Sequence, residues 1–342
     1  MRFKLLTTLL TVSLLAGMLC SLPAALAAPP PPPLVAVILP RDNARFQLIH
    51  AAFLERFNTI TTISGKPRLY VQSPNSDLMS LRNSVRKANA LGADIVVVYG
   101  TRAAMAAKQE DFTEPLIFAD VFEPVAMGLV PSLNRGGNLI TGVSGYAPVQ
   151  TLFKVLQETV GTVHLGVPVE SKSPDGKIQL EVLTKAACRR AGPVSEAGRQ
   201  KSSGELCWLE VVPTDMKSPA GATKGLKAAT GKIDAVYLSD LLPSDLYAAE
   251  ILDYAAQAGL PVISQLPGTA ELGAFLTLEA DPEEQGQLLG EIAYRLIEGA
   301  LPEDIPLMIP KRVSLIVNLA VAKKIGIQVP FTVLNQTTRV VR

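Results

Sequence analysis

Aromatic residues are scarce in this chain, 5% of 342 residues with a single tryptophan. Charge is scarce as well. Asp, Glu, Lys and Arg make up 18%, and the two signs nearly cancel to a formal net charge of +1. A chain this close to neutral, with no basic stripe, has no electrostatic footprint for nucleic acid. Histidine occurs twice and cysteine three times. No His/Cys/Asp cluster has metal-ligand spacing. There is no phosphate loop and no dinucleotide glycine fingerprint. "GVSGY" at 142–146 lacks the second glycine of a nucleophile elbow. His50, beside the apolar face of a predicted helix, and His164, at a strand start, read as structural. These absences argue against an enzyme, and neither a cofactor nor a metal is expected.

Long hydrophobic runs are limited to one. Arg2 and Lys4 precede an apolar stretch from Leu5 to Leu19, and "ALA" at 25–27 has the small residues of a cleavage site. This is the pattern of an export signal, so residues 1–27 are expected to be removed and the protein to be periplasmic. A lipid anchor at Cys20 is the rival, but the preceding "GML" lacks the usual small residues. "PPPPP" at 29–33 predicts a stiff polyproline spacer over 28–33. Once the leader is gone, Cys188 and Cys207 remain. In an oxidising compartment an even pair is most simply a disulfide, closing a loop of about twenty residues worth about 3 kcal/mol. The alternative is two unpaired buried thiols.

Hydrophobic residues amount to 48%, enough for a sizeable core. They alternate between two periods. "LVAVILP", "PRLYVQSP", "DIVVVYG", "PLIFADV" and "NLITGVSG" are strand-like. "NARFQLIHAAFLERF", "SDLMSLRNSVRKANALG" and "TRAAMAAK" between them have helical spacing, and a short helix is expected through "PVAMGLVPSL". The series repeats after residue 160: strands "TVHLGVPV", "LCWLEVVP", "DAVYLSD", "LPVISQ" and "GAFLTLEA", with helices "IQLEVLTKAACRRAG", "SDLYAAEILDYAAQAG" and "DPEEQGQLLGEIAYRLIEG". In the last of these Asp281 suits the N-cap and Pro282 the first turn. Two similar α/β halves predict two doubly wound parallel-sheet lobes and a ligand cleft at the strand carboxyl ends.

"ADIVVVYGTRAAMAAK", "PLIFADVFEPVAMGLVPSLNRGGNLITGVS", "IDAVYLSD" and "EGALPEDIPLMIPKRVSLIVNLAVAKKIGIQVP", in that order, resemble the ABC-transporter substrate-binding family, in the branch that includes tryptophan-type binding proteins. The resemblance runs from about Leu34 to the C-terminus. It implies the type I periplasmic-binding fold, two Rossmann-like lobes joined by a three-segment hinge. Lobe 1 is then expected over 34–145 and 268–300, and lobe 2 over 146–267 and 301–342. The implied function is capture of a small ligand and delivery to a membrane ABC permease, without chemistry, by a monomer. A sensory module of the same fold is the alternative, and neighbouring genes would separate the two. The chain departs from the family at Glu123, where relatives usually carry Asp, at Arg102, where they carry proline or a small residue, and at "ESKSPDG" (170–176).

In the family the "GT" pair places a hydroxyl and backbone N–H groups at a helix start, so Thr101 is expected to hold an anionic group; a plain cap is the alternative. Arg102 opposes the helix dipole, and a ligand acid or an acidic partner across the cleft would compensate. Otherwise it bends into solvent. Asp240 ends the strand "AVYLSD" and suits a ligand ammonium, or else caps the next helix. Glu123 can play the same part, or form a structural ion pair. Tyr99, Arg41, Ser144 and Gln265 lie at strand ends with weaker claims, and Tyr146 offers a ring. An amino-acid-like or other small carboxylated ligand is the expectation.

Overall fold

The structure, a computed structural model, describes residues 30–41, 43–62, 65–145, 147–161, 163–190, 205–207, 209–216, 221–238 and 245–342. The export signal, Tyr146 and Asp240 lie outside the described residues. Five parallel strands form the first sheet: β1 (Leu34–Ile38), β2 (Arg68–Gln72), β3 (Ile95–Tyr99), β4 (Leu116–Val121) and β5 (Ile140–Ser144), in the order β2-β1-β3-β4-β5. Helices α1 (Ala44–Phe57), α2 (Leu78–Ala90) and α3 (Thr101–Lys108) connect them. The apolar runs are continuous because both faces of this sheet are covered. Val35 and Val37 pack with Phe53 on one side, whereas Ala36 and Ile38 pack with Leu81 and Val85 on the other.

The second half contains α4 (Val149–Val160), β6 (Val163–Val169), α5 (Pro174–Ala187), β7 (Cys188–Arg190), β8 (Glu205–Cys207), β9 (Leu209–Asp215), α6 (Ala222–Ala228), β10 (Ala235–Leu238), α7 (Asp245–Ala258), β11 (Val262–Ser264), α8 (Thr269–Leu272) and β12 (Leu276–Ala280). Then come α9 (Pro282–Ile297), β13 (Val313–Asn318), α10 (Leu319–Lys324), α11 (Phe331–Leu334) and β14 (Arg339–Val341). The second sheet runs β14-β13-β12-β11-β10-β6-β9, with β13 antiparallel to β12. Its core, β9-β6-β10-β11-β12, repeats the doubly wound order of the first sheet. These are the two lobes of a type I periplasmic-binding fold. Cys188 and Cys207 face each other across the β7–β8 hairpin and form a disulfide.

Sheet membership differs from the sequence expectation at two points. The segment 268–280 belongs with lobe 2, because β12 pairs with β11 and Phe275 N–H donates to the Val262 carbonyl at 2.8 Å. The segment 301–312 lies on lobe 1: Thr141 Oγ1 donates to the Ile305 carbonyl at 3.0 Å, and Met308 N–H to that of Gly142 at 3.0 Å. Two more expectations shift locally. Residues 124–131 form turns, stopped by Gly128 at a φ of 67° between two prolines. Helix α5 ends at Ala187 instead of running through Cys188, which starts β7.

Three segments cross between the lobes, near 145–148, at Asp281 and at 312–313. The last two are welded together. Asp281 caps α9 through Glu284 N–H at 2.8 Å and donates its own N–H to the Arg312 carbonyl at 3.0 Å. Glu284 Oε2 accepts from the backbone N–H groups of Lys311 and Arg312 at 3.1 and 2.8 Å. Hydrogen bonding holds the Glu284 carboxyl below its ordinary pKa against the opposing effect of burial.

His50 belongs to the lobe 1 core. It is 7% exposed, its ring stacks on Phe53, and Nδ1 lies 3.0 Å from the Tyr99 hydroxyl. Burial lowers its pKa to about 4. The folded value lies below the unfolded one near 6.5, so the neutral ring's contribution is complete above that pH and is lost as pH falls towards 4. Between pH 7.5 and 4.5 the protein is expected to lose roughly 2 kcal/mol more stability than His50→Gln, read by urea unfolding. Parallel pH curves for the two proteins would place the loss elsewhere.

Candidate functional site

In each lobe the strand order reverses between the first and third strands, and the carboxyl ends there are where an open α/β sheet receives a ligand. In lobe 1 this point brings together the residues after β1 and β3, Pro40–Arg41 and Gly100–Arg102. In lobe 2 the residue after β6 is Glu170. The segment after β10, which carries Asp240, lies outside the described residues. Between these ends lies a cavity of about 260 Å³. Lobe 1 contributes Leu78, Leu81, Arg102 and Met105 from α2 and α3. Lobe 2 contributes Glu170, the start of α5 with Asp175, and Met216 beyond β9. The lobes touch beside it. Ile178 of α5 packs on the lobe 1 core, and Phe122 packs against the cores of both lobes.

The start of α3 is not open to this cavity as the sequence suggests. Gly100 has a φ of 83°, and a Cβ there would meet Phe46 Cζ at 2.3 Å, so the Phe46 ring lies over the helix entrance. Thr101 is 1% exposed, and its hydroxyl accepts the Phe122 N–H at 2.9 Å, tying α3 to the end of β4. A small annex of about 20 Å³, room for one water, separates Phe46, Asn43 and Ser76 from Thr101. It meets the larger cavity at Leu81 and Arg102.

Arg102 projects into the larger cavity. Its Nε is sealed from solvent and has no hydrogen-bond partner. Facing it is Asp175, half-buried in the first turn of α5, whose pKa is raised by burial and pulled back by the positive charges of Arg102 and Lys108. Glu170 is half-buried beside it. Among the described residues, neither acid forms a salt bridge. The α5 start is built by Ser173, whose Oγ caps Gly176 N–H at 3.0 Å. Gly176 is required there because a Cβ would meet the Glu170 carbonyl oxygen at 2.2 Å.

The other candidates stand around this centre. Glu123 follows β4 at a φ of 43°, half-buried, with burial raising its pKa. It does not line the cavity. Tyr99 is fully buried, and its hydroxyl is engaged by His50. Arg41 donates from Nε and Nη2 to the Ser73 carbonyl at 3.0 and 2.8 Å, joining the ends of β1 and β2. Ser144 is 1% exposed, with Oγ donating to the Val121 carbonyl at 3.3 Å. Gln265 accepts from the Tyr237 hydroxyl at 2.8 Å and donates to the Ala147 carbonyl, which fixes lobe 2 to the first crossing segment. Sequence reasoning did not single out Asp175 and Glu170, which line the cavity. Its one signal was that "ESKSPDG" departs from the family pattern.

The model of the family described as ABC transporter substrate binding protein matches residues 61–341. This chain belongs to that family. A tyrosine-binding protein of Clostridioides difficile is 26% identical to the binding protein over 260 residues, 75% of this chain and 70% of that one. Among solved structures, the ABC domain from Streptococcus pneumoniae in complex with L-Trp has a TM-score of 0.77 at 19% identity, covering 91% of this chain and 100% of that chain. The ligand-free, open structure of a substrate-binding protein with adhesive properties from Clostridium difficile has a TM-score of 0.61 at 20% identity, covering 91% and 99%. These relatives are solute-binding proteins and not enzymes, and members of the family work with ABC permeases outside the cytoplasm.

Proposed function

We propose that this binding protein is exported to the periplasm, closes its two lobes on an amino-acid-like or other small carboxylated solute, and delivers it to an ABC permease. The observation that carries the reading is Arg102, a cation with no salt bridge among the described residues, lining a cavity between the lobes. A carboxylate would satisfy it with a charge-assisted hydrogen bond. The relative named for binding tyrosine supports an amino acid. Closure follows when the ligand binds the closed arrangement better than the open one. Arg41, Ser144, Tyr99 and Gln265 hold the frame in this reading, and Thr101 shapes the entrance.

The test is mass spectrometry of small molecules released from the purified protein on denaturation, followed by calorimetry with the compound found. Arg102→Ala is expected to weaken binding by about 10- to 100-fold, the cost of a lost hydrogen bond to a charged group. Its melting temperature should change little, since among the described residues the side chain makes no hydrogen bond or salt bridge. Undiminished affinity would remove Arg102 from the site.

A further inference from the structure

Among the described residues the charges that line the cavity do not cancel: one cation, Arg102, faces two acids, Glu170 and Asp175. None of the three has a side-chain hydrogen bond or salt bridge among the described residues. Lys108 adds a more distant positive charge at Asp175, but its ammonium donates to the Met127 and Gly128 carbonyls. The apolar wall consists of Leu81, Met105 and Met216 with their neighbours, and among the described residues no aromatic ring lines the cavity.

We infer that the ligand is a basic amino acid, with its carboxylate on Arg102, its two cationic groups on Asp175 and Glu170, and its methylene stem along Met105 and Met216. This rests on the reading of the chain as a solute-binding protein and deepens it. Closing the lobes takes all three charged groups out of water, which is costly for any left unpaired. A neutral amino acid brings one ammonium and strands one acid. A diamine without a carboxylate strands Arg102. A basic amino acid pairs all three. Methionine side chains adapt to an unbranched stem, and the described apolar lining is aliphatic and thioether. The volume, about 260 Å³, sits just under the usual range of ligand pockets, which begins near 300 Å³, and so suits a small molecule.

Calorimetry of the purified protein with L-lysine, L-norleucine, L-tyrosine and cadaverine tests this. L-Lysine is expected to bind at least tenfold tighter than norleucine, which keeps the stem and lacks the side-chain amine. It should also bind at least tenfold tighter than cadaverine, which lacks the carboxylate. Glu170→Gln and Asp175→Asn should each cut the lysine-to-norleucine ratio to threefold or less, with unchanged circular dichroism. Norleucine or tyrosine binding as tightly as lysine overturns the inference and leaves the solute-binding function standing. If none of the four binds, the molecule released on denaturation decides. A ligand without a second cationic group overturns the inference, and release of nothing overturns the solute-binding reading as well.

Discussion

Asp120→Asn is expected to lower the free energy of unfolding by about 3–5 kcal/mol, the cost of leaving one member of a buried ion pair unpaired. Arg45 Nε lies 2.5 Å from Asp120 Oδ2, with side-chain exposures of 5% and 11%. The guanidinium also lies 4.8 Å from the centre of the Phe46 ring, inside lobe 1. Asparagine isolates the charge from the backbone. Asp120 has a φ of 57°, a region that Asn tolerates as well as Asp does. The substitution also keeps the side-chain shape that approaches Gln285 Nε2 at 3.5 Å. Adding Arg45→Met should recover much of the loss, because a pair removed together leaves no stranded charge. Urea unfolding of the three proteins measures this. A loss below about 1 kcal/mol for Asp120→Asn would mean that water reaches Arg45.

The pair stands where two crossing segments leave lobe 1. A Cβ at Gly145 would meet Asp120 Oδ1 at 2.5 Å, and Gln285 lies in the first turn of α9, just after the crossing at Asp281. A weakened pair should therefore loosen the hinge as well as the core.

Gly286→Val is expected to cost about 3 kcal/mol or more, at the upper end of overpacking effects. Helices α1 and α9 meet at backbone distance. A Cβ at Gly286 would lie 2.2 Å from the Ile49 carbonyl oxygen and 2.6 Å from Ala52 Cβ, and one at Gly290 would lie 2.6 Å from Arg56 Cγ. The diagnostic is the sign for Gly286→Ala. Glycine to alanine inside a helix ordinarily stabilises by about 0.5–1 kcal/mol. Here the methyl group has nowhere to go, so alanine should destabilise, and valine more so. Thermal unfolding of both variants reads the order. An alanine variant as stable as the parent would show that the helices part at little cost.

Much of this architecture was legible because it is local. "LVAVI" and "IVVVY" announce strands covered on both faces, and Asp281 with Pro282 announces the start of α9 at the residue where it occurs. The site was less legible. Arg102 drew attention as a cation in the first turn of a helix, and the structure leaves its Nε buried without a partner. Asp175 and Glu170 were marked only as part of "ESKSPDG", a segment that departs from the family, because nothing in it says which of its side chains will face the other lobe. Thr101 looked open to a ligand, but the ring that covers its helix start comes from Phe46, distant along the chain.

By itself the sequence determined the alternation of strand and helix and the near-neutral charge. Hydrophobic period and residue type act over a few positions and need no knowledge of the partner. Only the tertiary structure decided which sheet receives β12, where the lobes exchange segments, and that Arg102 faces Glu170 and Asp175 across the cavity. Those outcomes depend on pairings between residues far apart in the chain. A strand's own sequence makes it a strand but does not name its neighbour.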